Sequence, residues 1–234
     1  MPLKRFYKIV GVTQVDNGHQ VTLDGRGIKT SAGAAQIVPS AELAQHLAAE
    51  WDAQGEKLDP ATFILRDLAD YAIDIIGPER DTVIAKILTF GESDTLCYRG
   101  EPDDALFERQ EKQWEPLVTQ AEQRHQIRFE RISGVIHRPQ PINSLKTLRD
   151  VVAQHDDFTL SALQTCSSIA ASLIVGLAAL EDGADAEALF TISNLEEDWQ
   201  AELWGWEAEA AQTRAARLKS FTQAADFARL VRQG

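Results

Sequence analysis

Cysteine is almost missing. Cys97 and Cys166 are the only two, too few for a disulfide framework or a multi-thiolate metal site, so the chain reads as one made for a reducing, intracellular compartment, with both thiols as ordinary packed residues. Glycine-rich phosphate loops are also missing. Neither Gly-x-Gly-x-x-Gly nor Gly-x-x-x-x-Gly-Lys occurs, and Asp24-Gly25-Arg26-Gly27 reads as a hairpin turn. No serine occupies a Gly-x-Ser-x-Gly elbow, and neither cysteine has a local nucleophile signature. The five histidines, His19, His46, His125, His137 and His155, are far apart and lack ligand spacing. No metal and no cofactor is therefore expected.

The most informative absence is of positive charge. Residues 150 to 213 hold thirteen acids and no lysine or arginine, within a chain of net charge −13. Nucleic acid and anionic membranes would be repelled by such a surface. The stretch reads either as a solvated acidic face or as a surface complementary to a basic partner. Residues 1 to 50, by contrast, hold five bases and four acids.

One uncharged run, Phe158 to Leu180, has the length of a bilayer span. It carries Gln164, Thr165 and four serines, is flanked by Asp156-Asp157 and Glu181-Asp182, and has no basic anchor. A buried central helix is the expectation, without membrane insertion. A composition of 44% hydrophobic and 25% charged residues is that of an ordered globular chain.

Along the chain, alternation and turn signals predict strands at 6–13, 19–23, 28–30 and 36–38, separated by Asp16-Asn17-Gly18 and Asp24-Gly25-Arg26-Gly27. From Ser40 the period becomes helical. One helix carries Leu43, Leu47 and Trp51 and stops at Gly55; a second carries Ile64 to Ile76 and stops at Gly77-Pro78; a third follows from Val83. Residues 95–99 read as extended, 104–126 as a helix bent or broken near Pro116, and 127–136 as a strand. Helices are predicted at 145–154, 159–180, 186–204 and 207–232. The fold class is α+β, with a small antiparallel β-rich N-terminal domain (1–60) and a larger helical C-terminal domain (61–234). Trp51 and Trp114 lie in apolar register and are expected to be structural.

The segment 195–206, Leu-Glu-Glu-Asp-Trp-Gln-Ala-Glu-Leu-Trp-Gly-Trp, interleaves charge with large aromatics. On one continuous helix Ile192, Glu196, Trp199 and Leu203 would share a face, leaving Glu196 where an apolar residue is expected. Such a carboxylate is either paired within the fold or set at the edge of a groove. The candidate partner-binding residues are Glu196, Glu197, Trp199, Gln200, Trp204 and Trp206. No catalytic residue is assigned.

Seven stretches in register resemble the ATP synthase assembly factor 2 family: Arg5-Phe6-Tyr7-Lys8; Leu23-Asp24-Gly25-Arg26 with Lys29-Thr30; Glu50 to Gln54; Leu68-Ala69 with Ala72-Ile73-Asp74; Asp94 to Arg99; Gln110 with Trp114 and Pro116-Leu117; and Leu195-Glu196-Glu197 with Trp199-Gln200 and Trp204-Gly205. Ser31 and Phe63 to Arg66 depart from the family pattern. The resemblance implies a chaperone, not an enzyme, whose partner is the free α subunit of the synthase's catalytic head, held until it pairs with the β subunit. It also implies a bacterial cytoplasmic protein, or one of the mitochondrial matrix if the chain is a mature organelle form, and a monomer is favoured. A small-molecule enzyme with acids lining a cleft, and a generic adaptor, are the competing readings.

Overall fold

The computed structural model describes residues 3–134 and 138–233. They divide into two compact units, residues 1–80, 156–162 and 223–234 in one and 81–155 with 163–222 in the other. The division crosses the chain four times.

The first unit begins with a sheet. Strands β1 (Val10–Val15) and β2 (Gly18–Leu23) form an antiparallel hairpin in which Val15 faces Gly18 and Val10 faces Leu23. The Asn17-Gly18 turn places Asn17 at φ 69°, a left-handed conformation that asparagine tolerates. β3 (Arg26–Gly27) and β4 (Ile37–Val38) both pair with β2. The strand expected at 6–13 is thus displaced toward β1, because Asp24 captures the backbone N–H groups of Lys8 and Ile9 at 3.1 and 2.9 Å. Helix α1 (Ala41–Asp52) is capped by Ser40, whose Oγ accepts from the Leu43 N–H at 3.0 Å and donates to the Leu230 carbonyl at 2.7 Å. Leu43, Leu47 and Trp51 bury the α1 stripe read from sequence. The Tyr7 hydroxyl donates to the Trp51 carbonyl at 2.5 Å, and the Trp51 ring stands edge-on to Tyr7 and tilted against Phe63.

Helix α2 (Ile64–Tyr71) opens on Glu50, whose carboxylate accepts the N–H groups of Leu65 and Arg66 at 2.8 and 2.9 Å. The predicted stop at Gly77-Pro78 is a continuation instead. A π-helical segment, Ala72–Ile76, leads into α3 (Gly77–Glu92), with a kink at Glu79. Pro78, which has no N–H to give to the continuing helix, directly precedes that kink.

In the second unit a 3-10 turn at Thr95–Cys97 precedes β5 (Tyr98–Arg99), so only the end of the extended segment predicted there is a strand. Helix α4 (Ala105–His125) runs through Pro116 without a break, held on both sides by buried Trp114 and Val118. β6 (Ile132–Ser133), parallel to β5, is the paired part of the strand predicted at 127–136, of which residues 135 and 136, like His137, lie outside the described residues. Four more helices follow: α5 (Ile142–Val152), α6 (Asp157–Ala170), α7 (Leu173–Ala179) and α8 (Ala186–Ser193).

The uncharged run predicted as one helix is α6 and α7, broken at Ala171, which has φ 48°. Ser172 then caps α7 through the Val175 N–H at 3.0 Å. Among the described residues no helix is long and apolar enough to cross a membrane. The break is fixed by Asp94, fully buried, whose carboxylate accepts from Leu96 N at 3.1 Å and Ile174 N at 2.9 Å. Burial pushes its pKa up to about 6, against the opposing hydrogen bonds from Ile174, Ser172, Leu96 and Leu173.

Two outcomes test this packing. Trp51→Ala is expected to lose about 3–5 kcal/mol in chemical denaturation, the range for emptying a buried aromatic site. Asp94 binds its proton more tightly folded than unfolded, so its contribution to stability is full below its ordinary value of 3.8 and is lost as pH rises through about 6. The stability of the natural chain relative to Asp94→Asn is therefore expected to fall by roughly 2 kcal/mol between pH 4 and 7, measured by urea titration at each pH.

Candidate functional site

The acidic, tryptophan-bearing segment forms α9 (Leu195–Trp204), followed by α10 (Ala208–Val231). Asn194 breaks the helix between α8 and α9, its side-chain amide donating to the Phe190 carbonyl at 2.8 Å. Ile192 is thus not on α9, and the face predicted for a continuous helix does not extend to it. Ile192 does something else: its carbonyl accepts the Trp114 indole N–H at 2.8 Å. Three acids, Glu196, Glu197 and Asp198, fill the first turn of α9, where carboxylates favour the positive end of the helix dipole. Gly205 ends it at φ 86°, a conformation that penalises any residue with a Cβ.

The segment lacks bases in sequence, yet the fold brings arginines to it. From α4, the Arg109 guanidinium lies 4.4 Å from the centre of the Trp199 ring and pairs with Glu202 at 2.8 Å. From α10, Arg217 pairs with Glu197 at 3.0 Å, and Arg214 holds Asp198 through two bonds of 2.7 and 2.6 Å. The Arg214 guanidinium is also 5.7 Å from the Trp206 ring centre. A cavity of about 480 Å³ lies among Asp198, Glu202, Trp206, Arg214 and Leu218.

Glu196 differs from its neighbours. It accepts from the Gln110 side-chain amide at 2.7 Å and has no arginine or lysine against it among the described residues. Burial raises its pKa, and the Gln110 hydrogen bond offsets that only in part. The other candidates sort by exposure. Gln200 is exposed, Trp199 is half-buried beneath Arg109, and Trp206 is partly exposed beside Arg214. Trp204 is 78% exposed and Leu203 55%, an open apolar pair at the end of α9. Leu203 is absent from the candidates read from sequence, because its place in helical register suggests burial. The arginines were missed because they lie some 90 residues before the segment, at 109, and just beyond it, at 214 and 217.

Among the described residues no group of three or more His, Cys, Asp or Glu is placed to hold a metal ion. Burial pushes the Cys166 thiol up to about 12 and raises that of Cys97 as well, which leaves both as poor nucleophiles.

Similarity to known proteins adds to this geometry. The family described as ATP12 chaperone protein matches residues 4–122. The crystal structure of Atp12 from Paracoccus denitrificans, and that of an aspartate-to-lysine mutant of it, are each 34% identical, with a TM-score of 0.91 over 98% of both chains. The Agrobacterium tumefaciens protein Atu1473 is 36% identical, with the same TM-score, over 96% of this chain and 84% of its own. The mitochondrial protein atp12 of Schizosaccharomyces pombe is 28% identical over 220 residues, 86% of this chain and 74% of the relative. Helix α9 lies beyond the residues matched by the family but within the span of the solved structures.

The geometry separates acids that hold the fold from one that does not. Asp198→Ala is expected to cost about 1–2 kcal/mol by leaving Arg214 without its bidentate partner. Glu196→Gln is expected to stay within about 0.5 kcal/mol of the natural chain, because a neutral amide replaces a carboxylate bound only to another amide. Parallel thermal and urea denaturation of the two variants checks both.

Proposed function

Because this chain belongs to the ATP12 chaperone family, we propose that it binds the free α subunit of ATP synthase and keeps it competent for assembly until the β subunit replaces the chaperone. The observation that carries the contact surface is the exposed pair Leu203 and Trp204 with partly exposed Trp206, at the end of the helix whose first turn carries the one carboxylate not held by an arginine. Apolar surface of this kind serves as an interface anchor, and tryptophan is the residue type most often found in that role. A subunit waiting for its partner exposes interface surface that aggregates unless it is covered.

Glu196 and Glu197 are both candidates from sequence to face the partner, and the pairing of Glu197 with Arg217 narrows the choice to Glu196. Its counterpart is a cation on the client. The α-subunit arginine that reaches the nucleotide site at the junction with β is the proposed partner, by a charge-assisted contact. Gln200 and Trp206 border the contact, and Trp199, under Arg109, supports it from behind. The protein acts by binding, without catalysis, in the bacterial cytoplasm. Release follows from competition, since the β interface needs only to be tighter than a polar, charge-steered contact.

In a pull-down with purified α subunit, Trp204→Ala and Glu196→Gln are each expected to weaken binding about tenfold or more while leaving the melting temperature unchanged. Full affinity in both variants would remove α9 from the contact. Failure of the natural chain to retain the α subunit would remove the client.

A further inference from the structure

The first unit contains a cavity of its own. It has a volume of about 490 Å³ and opens between the N-terminal segment and the β2–β3 hairpin. Tyr7, Leu23 and Trp51, all buried, contribute its apolar walls. Phe6, 64% exposed, stands edge-on to Tyr7 with ring centres 5.4 Å apart. The Trp51 indole N–H is buried and has no hydrogen-bond partner among the described residues. Leu3 and Ile9, near Phe6 in the chain, are exposed as well.

The polar lining is unbalanced. Arg26 and Lys29 both line the cavity, both are exposed, and neither makes a side-chain hydrogen bond or ion pair of 4.0 Å or less among the described residues. The only acid in the lining, Asp24, already accepts the N–H groups of Lys8 and Ile9. Those bonds, the largest influence on its carboxyl, lower its pKa and keep it ionised, so it is not available to a ligand as a donor. Arg26, which also attracts Asp24 electrostatically, and Lys29 together outnumber that single ionised carboxylate, so beside the aromatic and aliphatic hollow the lining carries a net positive charge that, in a chain of net charge −13, favours a group both anionic and apolar.

We propose that this cavity is a second polypeptide-binding site, which takes an apolar or aromatic side chain against Phe6, Tyr7 and Trp51 and an adjacent carboxylate against Arg26 and Lys29. That the occupant is polypeptide rests on the chaperone reading above; its acidic and apolar character rests on the cavity. A nucleotide has a similar charge and shape, but the glycine of this turn, Gly25, lies in a hairpin between two strands and not ahead of a helix whose N-terminus could cradle phosphate. The two sites differ in sign. An acidic client segment would engage the first unit through Arg26 and Lys29, whereas a basic group would engage Glu196.

The test uses the full chain, labelled with nitrogen-15, titrated with N-acetyl-Phe-Glu-amide, N-acetyl-Phe-Gln-amide and adenosine monophosphate. The acidic dipeptide is expected to shift the Trp51 indole resonance and the Gly27 and Lys29 amides saturably, with a dissociation constant on the order of 1 mM. The neutral dipeptide is expected to bind at least about fivefold more weakly, and Arg26→Gln/Lys29→Gln to remove that difference without changing the melting temperature. Equal binding of the two dipeptides, shifts confined to Trp204 and Trp206, or no saturable shift would overturn the proposal. Preference for adenosine monophosphate would replace it with a nucleotide site. Because no α subunit is present in this titration, its outcome is independent of whether α is the client.

Discussion

A buried arginine that cannot shed its charge sets the terms for the second unit. Arg99, its side chain only 2% exposed, sits on β5 and must be neutralised in place, because an unpaired interior cation costs several kcal/mol. α4 supplies the counter-charges: Glu111, and Glu115 at 2.7 Å. Glu115 in turn accepts from Arg131 at 2.6 and 3.2 Å, and Arg131 also binds Glu122 and the Phe129 carbonyl. Burial alone would raise the Glu115 carboxyl, but hydrogen bonds from Arg131 and Arg99 bring it down to about 2, so the cluster stays ionised through the physiological range. One side of α4 is thereby fixed to the β5 and β6 segments. Arg109, Gln110 and Trp114 of the same helix are then held in place to receive α9 and the end of α8.

This dependence explains why α9 can be so acidic. A helix with three carboxylates in its first turn and tryptophans at its end would repel itself and its neighbours if left to solvent. Here α4 and α10 each present arginine along it, and every carboxylate of the first turn except Glu196 is answered by a cation. What remains without a cation on α9 is one first-turn carboxylate, and what remains open at its far end is the apolar pair Leu203 and Trp204, the features on which the proposed contact rests.

The helices and hairpin were legible in the sequence because their signals are local: Ser40 caps α1, the 43–47–51 stripe is buried, and Asn17-Gly18 turns the hairpin. The helix breaks at Ala171 and Asn194 were not, because each is held by a distant or non-helical bond. Asp94 lies some 80 residues from the α7 backbone it captures, and an alanine at positive φ has no sequence signature. The site was half legible for a similar reason. Counting charge along 150–213 found a base-free acidic run correctly, but a count in one dimension cannot see that helices from outside the run close over it. Seven short stretches in register pointed to the family although no single one of them is specific, since register across a whole chain is harder to match by accident than any motif.

The bond from Ser40 to the Leu230 carbonyl spans 190 positions of the chain. Ser40 caps the helix whose Trp51 floors the first unit's cavity, and the same unit includes residues 223–234. During synthesis, therefore, the amino-terminal hairpin and α1 leave the ribosome long before the segment that completes their packing exists. Loop closure over such a separation is slow, and apolar surface awaiting it is exposed meanwhile. A member of a chaperone family thus passes, in its own biogenesis, through a waiting period with apolar surface uncovered, and a nascent chain shortened by a dozen residues at its carboxyl end would remain in it.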